Sequence, residues 1–241
     1  MKLILTFLTA LSTPLFSAEK PNIIFILADD MGIGDVSHTT GKAATPHIDR
    51  LAKEGMRFTD AHTSSSVCTP TRYSVLTGRY NWRTRLKKSV FFNPHDKPLI
   101  EKDELTVASL LKANGYHTGM VGKWHLGIGW QFKENFKPLP GKKGEAGWDI
   151  DYSKPAVTPT SNGFDYFFGI QASLDMAPYV YIENELATKP GTVTKAFFRK
   201  GAAAEDFEAN QCLIHFAEKS VAYIDQRAKE DKPFFLYLPL T

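Results

Sequence analysis

Cysteine is almost missing from this chain. Only Cys68 and Cys212 occur in 241 residues, and one pair cannot make a disulfide framework. A packed core must therefore hold the fold. A strong charge of one sign is missing as well: 29 Lys and Arg against 26 Asp and Glu leave +3. No motif of a nucleic-acid-binding class occurs, so no nucleic-acid partner is expected. The one basic run, "RTRLKK" with Arg83, Arg85, Lys87 and Lys88, reads as a solvated face or, less simply, as an attractor of an anionic polymer. Internal repeats are absent. After the first residues no apolar run approaches the roughly 20 residues that span a bilayer, so no membrane anchor is expected.

What is present begins with "MKLILTFLTALSTPLFSAEK". Lys2, an apolar run broken by Pro14, and the small residues Ser17 and Ala18 make the pattern of a secretory signal peptide over residues 1–18. A buried N-terminal strand is the alternative, but it has no need of the basic start. Export implies a secreted or periplasmic protein. The remainder, residues 19–241, has the composition of a globular domain, the whole chain being 43% hydrophobic and 23% charged.

Along the chain, strand patterns alternate with helix patterns. "PNIIFILADD" reads as a strand buried on both faces and ended by two acids. "TPHIDRLAKEG" reads as a helix with Thr45 as N-cap, Pro46 at its first position and Gly55 as stop. "MRFTDAHT" suggests a short strand, "TPTRYSVLTG" a helix from Pro70 to near Gly78, "ELTVASLLKANG" a helix and "YHTGMVG" the next strand. Leu126 to Thr194 is rich in Gly, Pro and aromatics and reads as long excursions around a site rim. A long helix follows, with Leu213, Phe216, Ala217, Ser220 and Ile224 at helical spacing and Cys212 as a small core residue. "KPFFLYLPL" is a last apolar strand. The fold class is α/β with a mostly parallel sheet flanked by helices. The sequence stops at Thr241, directly after that strand, where such folds bind ligands, so a fragment of a longer domain is expected.

Three groups of residues carry chemistry. Asp29 and Asp30 close the first strand. Adjacent carboxylates repel unless neutralised, and a hard divalent cation does this well; a solvated acidic turn is the plain alternative. Cys68 stands at a helix N-terminus, where unpaired N–H groups favour negative charge. Arg72 lies four residues on, a spacing that brings its guanidinium back over position 68 and favours the thiolate. In "GMVGKWHLG", Lys123 and His125 are two apart and share one side if the strand continues that far. A fixed cation beside an imidazole suits binding an oxyanion and moving a proton. The combination fits attack on a sulfate or phosphate ester with a metal present.

These residues also carry a resemblance. "CTPTRYSVLTGR" resembles the sulfatase signature Cys-x-Pro-x-Arg with its Thr-Gly-Arg ending, and "GYHTGMVGKWHLG" resembles the second sulfatase signature. "PNIIFILADDMGIGD" resembles the metal-binding start of the same family. Their order and separation agree too. The resemblance implies an alkaline-phosphatase-like fold and a sulfuric ester hydrolase acting on carbohydrate or aryl sulfates. It implies that Cys68 is oxidised to formylglycine (3-oxoalanine) by a formylglycine-generating enzyme. The hydrated aldehyde then offers one hydroxyl to attack sulfur and a second to expel sulfate. By position it makes Cys68 the nucleophile precursor and, once modified, a metal ligand with Asp29 and Asp30 for Ca²⁺. Arg72 would hold the diol, Lys123 the sulfate, and His125 would assist its release. "GFDYFFGIQASLDMAPYVYIENE" resembles a substrate-rim segment, with Asp175 the candidate substrate-binding residue.

The family pattern continues with a further His, an Asp-Asn pair and another Lys, none of which precedes Thr241. Two other readings stay open. One is a phosphatase or phosphodiesterase of the same superfold using Thr69 or Thr71, for which the Cys-x-Pro-x-Arg spacing has no purpose. The other is a truncated binding module without turnover.

Overall fold

The computed structural model describes residues 19–41, 43–138, 140–141 and 145–241, so the signal-peptide segment 1–18 lies outside the described residues. The centre is a six-stranded sheet in the order β1-β8-β2-β3-β4-β5. Its strands are β1 (Ile23–Leu27), β2 (His117–Lys123), β3 (Tyr166–Ile170), β4 (Ile182–Glu183), β5 (Leu186–Ala187) and β8 (Phe234–Pro239). β1, β8, β2 and β3 run parallel, and β4 and β5 add an antiparallel edge. A separate antiparallel hairpin pairs β6 (Val193–Ala196) with β7 (Lys200–Ala203). The helices are α1 (Pro46–Glu54), α2 (Cys68–Thr77), α3 (Val107–Ala113) and α4 (Cys212–Arg227). This is the expected mostly parallel α/β architecture.

Burial follows position in the sheet. β8 has a partner on each side, and Phe234, Phe235, Leu236 and Tyr237 are all buried. β1 pairs only with β8 among the described residues, and its Ile24, Phe25 and Ile26 are exposed. The expectation that β1 is covered on both faces is thus corrected: its ends, Ile23 and Leu27, pack against the core, but its middle residues stay open among the described residues. α1 buries no residue, although Pro46 starts it and Gly55 ends it.

Other boundaries also shift. "MRFTDAHT" forms no strand, since no neighbouring strand pairs with it among the described residues. α2 begins at Cys68, two residues before Pro70, after an extended N-cap at Val67, and Gly78 closes it in the left-handed conformation at φ 67°. α3 starts with a capping box between Thr106 and Ser109. The Leu126–Thr194 stretch is more than rim: it supplies β3, whose aromatic YFFGI run lies parallel to β2. On α4 the buried stripe is Cys212, Phe216, Ser220 and Tyr223, while Leu213 and Ala217 face solvent. Cys212 is a free, fully buried core thiol, as its helical setting suggested. The basic run stays local: Arg85 donates to the carbonyls of Lys97 and Pro98, and Lys87 to that of Trp82.

Glycines let β8, β2 and β3 close up just before Lys123. A Cβ on Gly169 would sit 1.9 Å from the Gly122 carbonyl oxygen, and one on Gly122 would sit 2.0 Å from that of Pro239. Gly122 also has φ +138°, which L side chains rarely adopt. Gly169→Ala should therefore lower unfolding free energy by about 1–3 kcal/mol in chemical denaturation, as overpacking does. Gly34→Ala, whose Cβ meets nothing nearer than 3.5 Å, should stay within about 0.5 kcal/mol of the parent.

Candidate active site

The carboxyl ends of β1 and β2 and the start of α2 meet in one place, where parallel α/β sheets gather their ligands. β1 delivers Asp29 and Asp30, the latter with φ 51°, a left-handed turn that an aspartate tolerates. β2 delivers Lys123, which is fully buried. Its Nζ donates to Asp29 Oδ2 at 2.6 Å and to Cys68 Sγ at 3.2 Å. α2 delivers Cys68 in its first turn and Arg72 one turn later. Two threonines hold this helix start: Thr69 Oγ1 donates to the His125 carbonyl and Thr71 Oγ1 to the Ser65 carbonyl, both at 2.8 Å.

The hydrogen bonds of the Arg72 guanidinium go to strand ends and not to residue 68. Arg72 is 1% exposed, and its guanidinium joins three strand ends. Nη1 donates to the Lys123 carbonyl at 2.8 Å, while Nη2 donates to Asp29 Oδ1 and the Leu240 carbonyl at 3.0 Å each. Asp29 thus takes one cation on each carboxylate oxygen. Burial pushes its carboxyl up, but hydrogen bonding and charge from Lys123, joined by Arg72, outweigh this and hold it below its ordinary range.

Asp29, Asp30 and Cys68 offer ligand atoms that all lie within 4.8 Å of one another. The two carboxylates suit a hard divalent cation. The soft thiol does not, and an oxygen-bearing side chain at position 68 completes the donor set better than sulfur. The charges fit too. Lys123 and Arg72 balance Asp29 and Asp30, so a bound divalent cation leaves a net positive centre for an anionic ester.

His125 is close by but differently placed from the expectation. β2 ends at Lys123 and His125 takes φ 55°, so strand alternation stops before it. Its Nε2 lies 2.9 Å from the Phe91 carbonyl. A carbonyl only accepts, so Nε2 carries the proton and Nδ1 the lone pair. Nδ1 is buried without a protein partner among the described residues. Burial, then the charge of Lys123, push the imidazole pKa down to about 3 against the opposing Phe91 bond. The ring is held neutral at neutral pH. Asp175 takes no part in these contacts: its Oδ2 pairs with Arg199 Nη1 at 2.7 Å. Sequence reading missed Phe91 and Arg199, and weighed Thr69 only as a nucleophile and not as a tether, because their contacts join segments far apart in the chain.

A roomier cavity lies at the opposite ends of β2 and β3, lined by His117, Asp165, Glu183 and Lys219. Its acids are already paired, Glu183 with Lys219 at 2.9 Å and Asp165 with Lys112 at 2.7 Å. The chemistry collects instead around Cys68.

A buried ammonium, a paired carboxylate and a half-buried thiol at the carboxyl end of a parallel sheet define an α/β chain built to handle an oxyanion. The sulfatase family model matches residues 21–241, and the chain belongs to the sulfatase family. It is 43% identical over 172 residues to an N-acetylgalactosamine-6-O-sulfatase of Bacteroides thetaiotaomicron, covering 70% of this chain and 30% of that protein. It is 33% identical to human arylsulfatase A over 95% of this chain and 42% of that one. A solved structure from work on glycosaminoglycan metabolism by B. thetaiotaomicron superposes with a TM-score of 0.74 at 30% identity, covering 92% of this chain and 51% of that chain. A Pseudoalteromonas sulfatase gives a TM-score of 0.63 at 26% identity, over 92% and 44%. The chain thus spans between 30% and 51% of the length of these relatives.

His125 generates a stability prediction. Its ordinary pKa near 6.5 is depressed to about 3 on folding. Between those values the unfolded chain binds the proton and the folded chain does not, so stability is lost as pH falls below about 6.5. From pH 7.5 to 5 the parent should lose about 2 kcal/mol more than His125→Gln, measured by chemical denaturation at both values.

Proposed function

We propose that the whole protein is an exported sulfuric ester hydrolase acting on sulfated saccharides, with formylglycine made from Cys68 and a Ca²⁺ ion held by Asp29, Asp30 and the modified residue 68. The observation that carries this reading is the convergence of those three ligand atoms within 4.8 Å beside the Lys123 ammonium. Family membership supports the reaction class. The saccharide substrate is supported by the N-acetylgalactosamine-6-O-sulfatase relative. Among the described residues no helix is long and apolar enough to cross a membrane, and residues 1–18 support secretion or periplasmic placement.

Hydrated formylglycine would supply one hydroxyl oxygen that bonds to sulfur as the S–O bond to the alcohol breaks, and a second hydroxyl whose deprotonation re-forms the aldehyde and expels sulfate, while Ca²⁺ would supply positive charge. The chain's own groups do the rest. Lys123, tethered by Asp29, points its ammonium at residue 68 and binds a sulfate oxygen there. Arg72 fixes Asp29 and adds buried positive charge. His125 Nδ1 receives a proton during release.

A phosphatase reading with Thr69 or Thr71 as nucleophile is disfavoured by their setting. Thr69 is fully buried, and both hydroxyls are spent holding α2.

The full-length protein, made in a host with the modifying enzyme, should carry an aldehyde in place of the thiol on the residue 68 peptide. Mass spectrometry of active protein showing only thiol would defeat the reading. Cys68→Ser should lose multiple turnover on N-acetylgalactosamine 6-sulfate and accumulate sulfate on that serine; repeated turnover without an adduct would favour a different nucleophile. Lys123→Ala and His125→Ala should each cut turnover of an aryl sulfate by roughly 10²-fold or more, read from steady-state rates. Turnover near the parent's in either variant would make that residue structural.

A further inference from the structure

Two exposed aromatics hold a cation between them, and one of them, Phe92, shares a crevice with His125. Phe198, in the β6–β7 turn, is 77% exposed, and Phe92 is 55% exposed. The Arg199 guanidinium carbon lies 5.6 Å from the Phe92 ring centre and 5.5 Å from that of Phe198. Together they present two phenyl faces flanking one guanidinium.

The cluster is tied to the catalytic groups through Phe91. That residue's carbonyl accepts from His125 Nε2 at 2.9 Å, and its N–H donates to Thr69 Oγ1 at 3.4 Å. Phe92 is the next residue, and with His125 and Met176 it lines one small crevice. The hairpin itself is braced. Tyr179 donates to the Arg199 carbonyl at 2.6 Å and meets Phe197 edge-on at 4.9 Å. Asp175, one residue before Met176, takes Arg199 Nη1 at 2.7 Å. The remaining guanidinium N–H groups sit on a side chain that is 44% exposed.

We infer that Phe92, Phe198 and Arg199 form the wall that receives the alcohol part of the sulfate ester, a saccharide ring, and that Asp175 positions Arg199 instead of touching substrate. This rests on the sulfatase reading above. Phenyl faces pack against the C–H face of a sugar ring, while the free guanidinium donors take its hydroxyl or carboxylate oxygens. A flat aryl sulfate offers the guanidinium no such oxygens.

The test uses the full-length, modified protein and the ratio of kcat/KM for N-acetylgalactosamine 6-sulfate to that for 4-nitrophenyl sulfate. Arg199→Ala and Phe198→Ala should each lower that ratio by about tenfold, mainly through KM for the saccharide. Phe198 is so exposed that its truncation leaves packing intact. Asp175→Asn should lower the ratio as Arg199→Ala does, and the double variant should be no worse than Arg199→Ala alone. A ratio within about twofold of the parent in both Arg199→Ala and Phe198→Ala overturns the inference. A parent that hydrolyses the aryl sulfate without favouring the saccharide overturns the inference and leaves the sulfatase reading standing. A parent carrying the aldehyde yet hydrolysing neither overturns both.

Discussion

The Asp29 carboxylate is the hinge of this structure. One of its oxygens takes the Lys123 ammonium at 2.6 Å and the other the Arg72 guanidinium at 3.0 Å. Two cations in a nearly dry setting are costly unless an anion sits between them, and Asp29 is that anion. Through it the ends of β1, β2 and β8 and the first turn of α2 are locked in one arrangement, because Arg72 also holds the carbonyls of Lys123 and Leu240. The site is therefore organised before any ligand arrives. That is the arrangement electrostatic catalysis needs, since dipoles and charges that need not move cost nothing when charge develops.

Around that lock the roles divide. Lys123 faces Cys68, His125 is kept neutral with a free lone pair, and Asp30 stays at the surface beside them. The surrounding sheet makes this possible by using glycine where β8, β2 and β3 approach. Bulk at Gly122 or Gly169 would push apart the strands whose ends carry the charges. Core packing and site geometry are here the same constraint.

Much of this was legible in the sequence. The parallel α/β class, the helices starting near Pro46, Cys68 and Thr106, and the strands of "HTGMVGK" and "FFLYLP" follow from local patterns, with Gly and Pro as punctuation. Asp29, Asp30, Cys68, Arg72 and Lys123 were picked out by residue type and position, and they do come together. What local pattern cannot carry is pairing across the chain. That Arg72 is spent on Asp29 and Leu240, or Asp175 on Arg199, depends on which segments the fold brings together. β3 was hidden because its aromatic run sits among glycines and prolines. The exposure of β1 was invisible for a different reason: its composition is that of a covered strand, and only the sheet order shows that one side has no described neighbour.

That bare side of β1 has a practical meaning. Ile24, Phe25 and Ile26 lie on a strand whose outer backbone groups have no partner strand among the described residues. An unpaired apolar edge is a template for strand addition, and proteins that keep such edges usually shield them with charge, proline or a covering segment. None of those devices occurs within IIFIL. For a 241-residue polypeptide handled by itself, the edge that leads to Asp29 is open to strand addition, so colloidal behaviour and the placement of Asp29 depend on the same five residues.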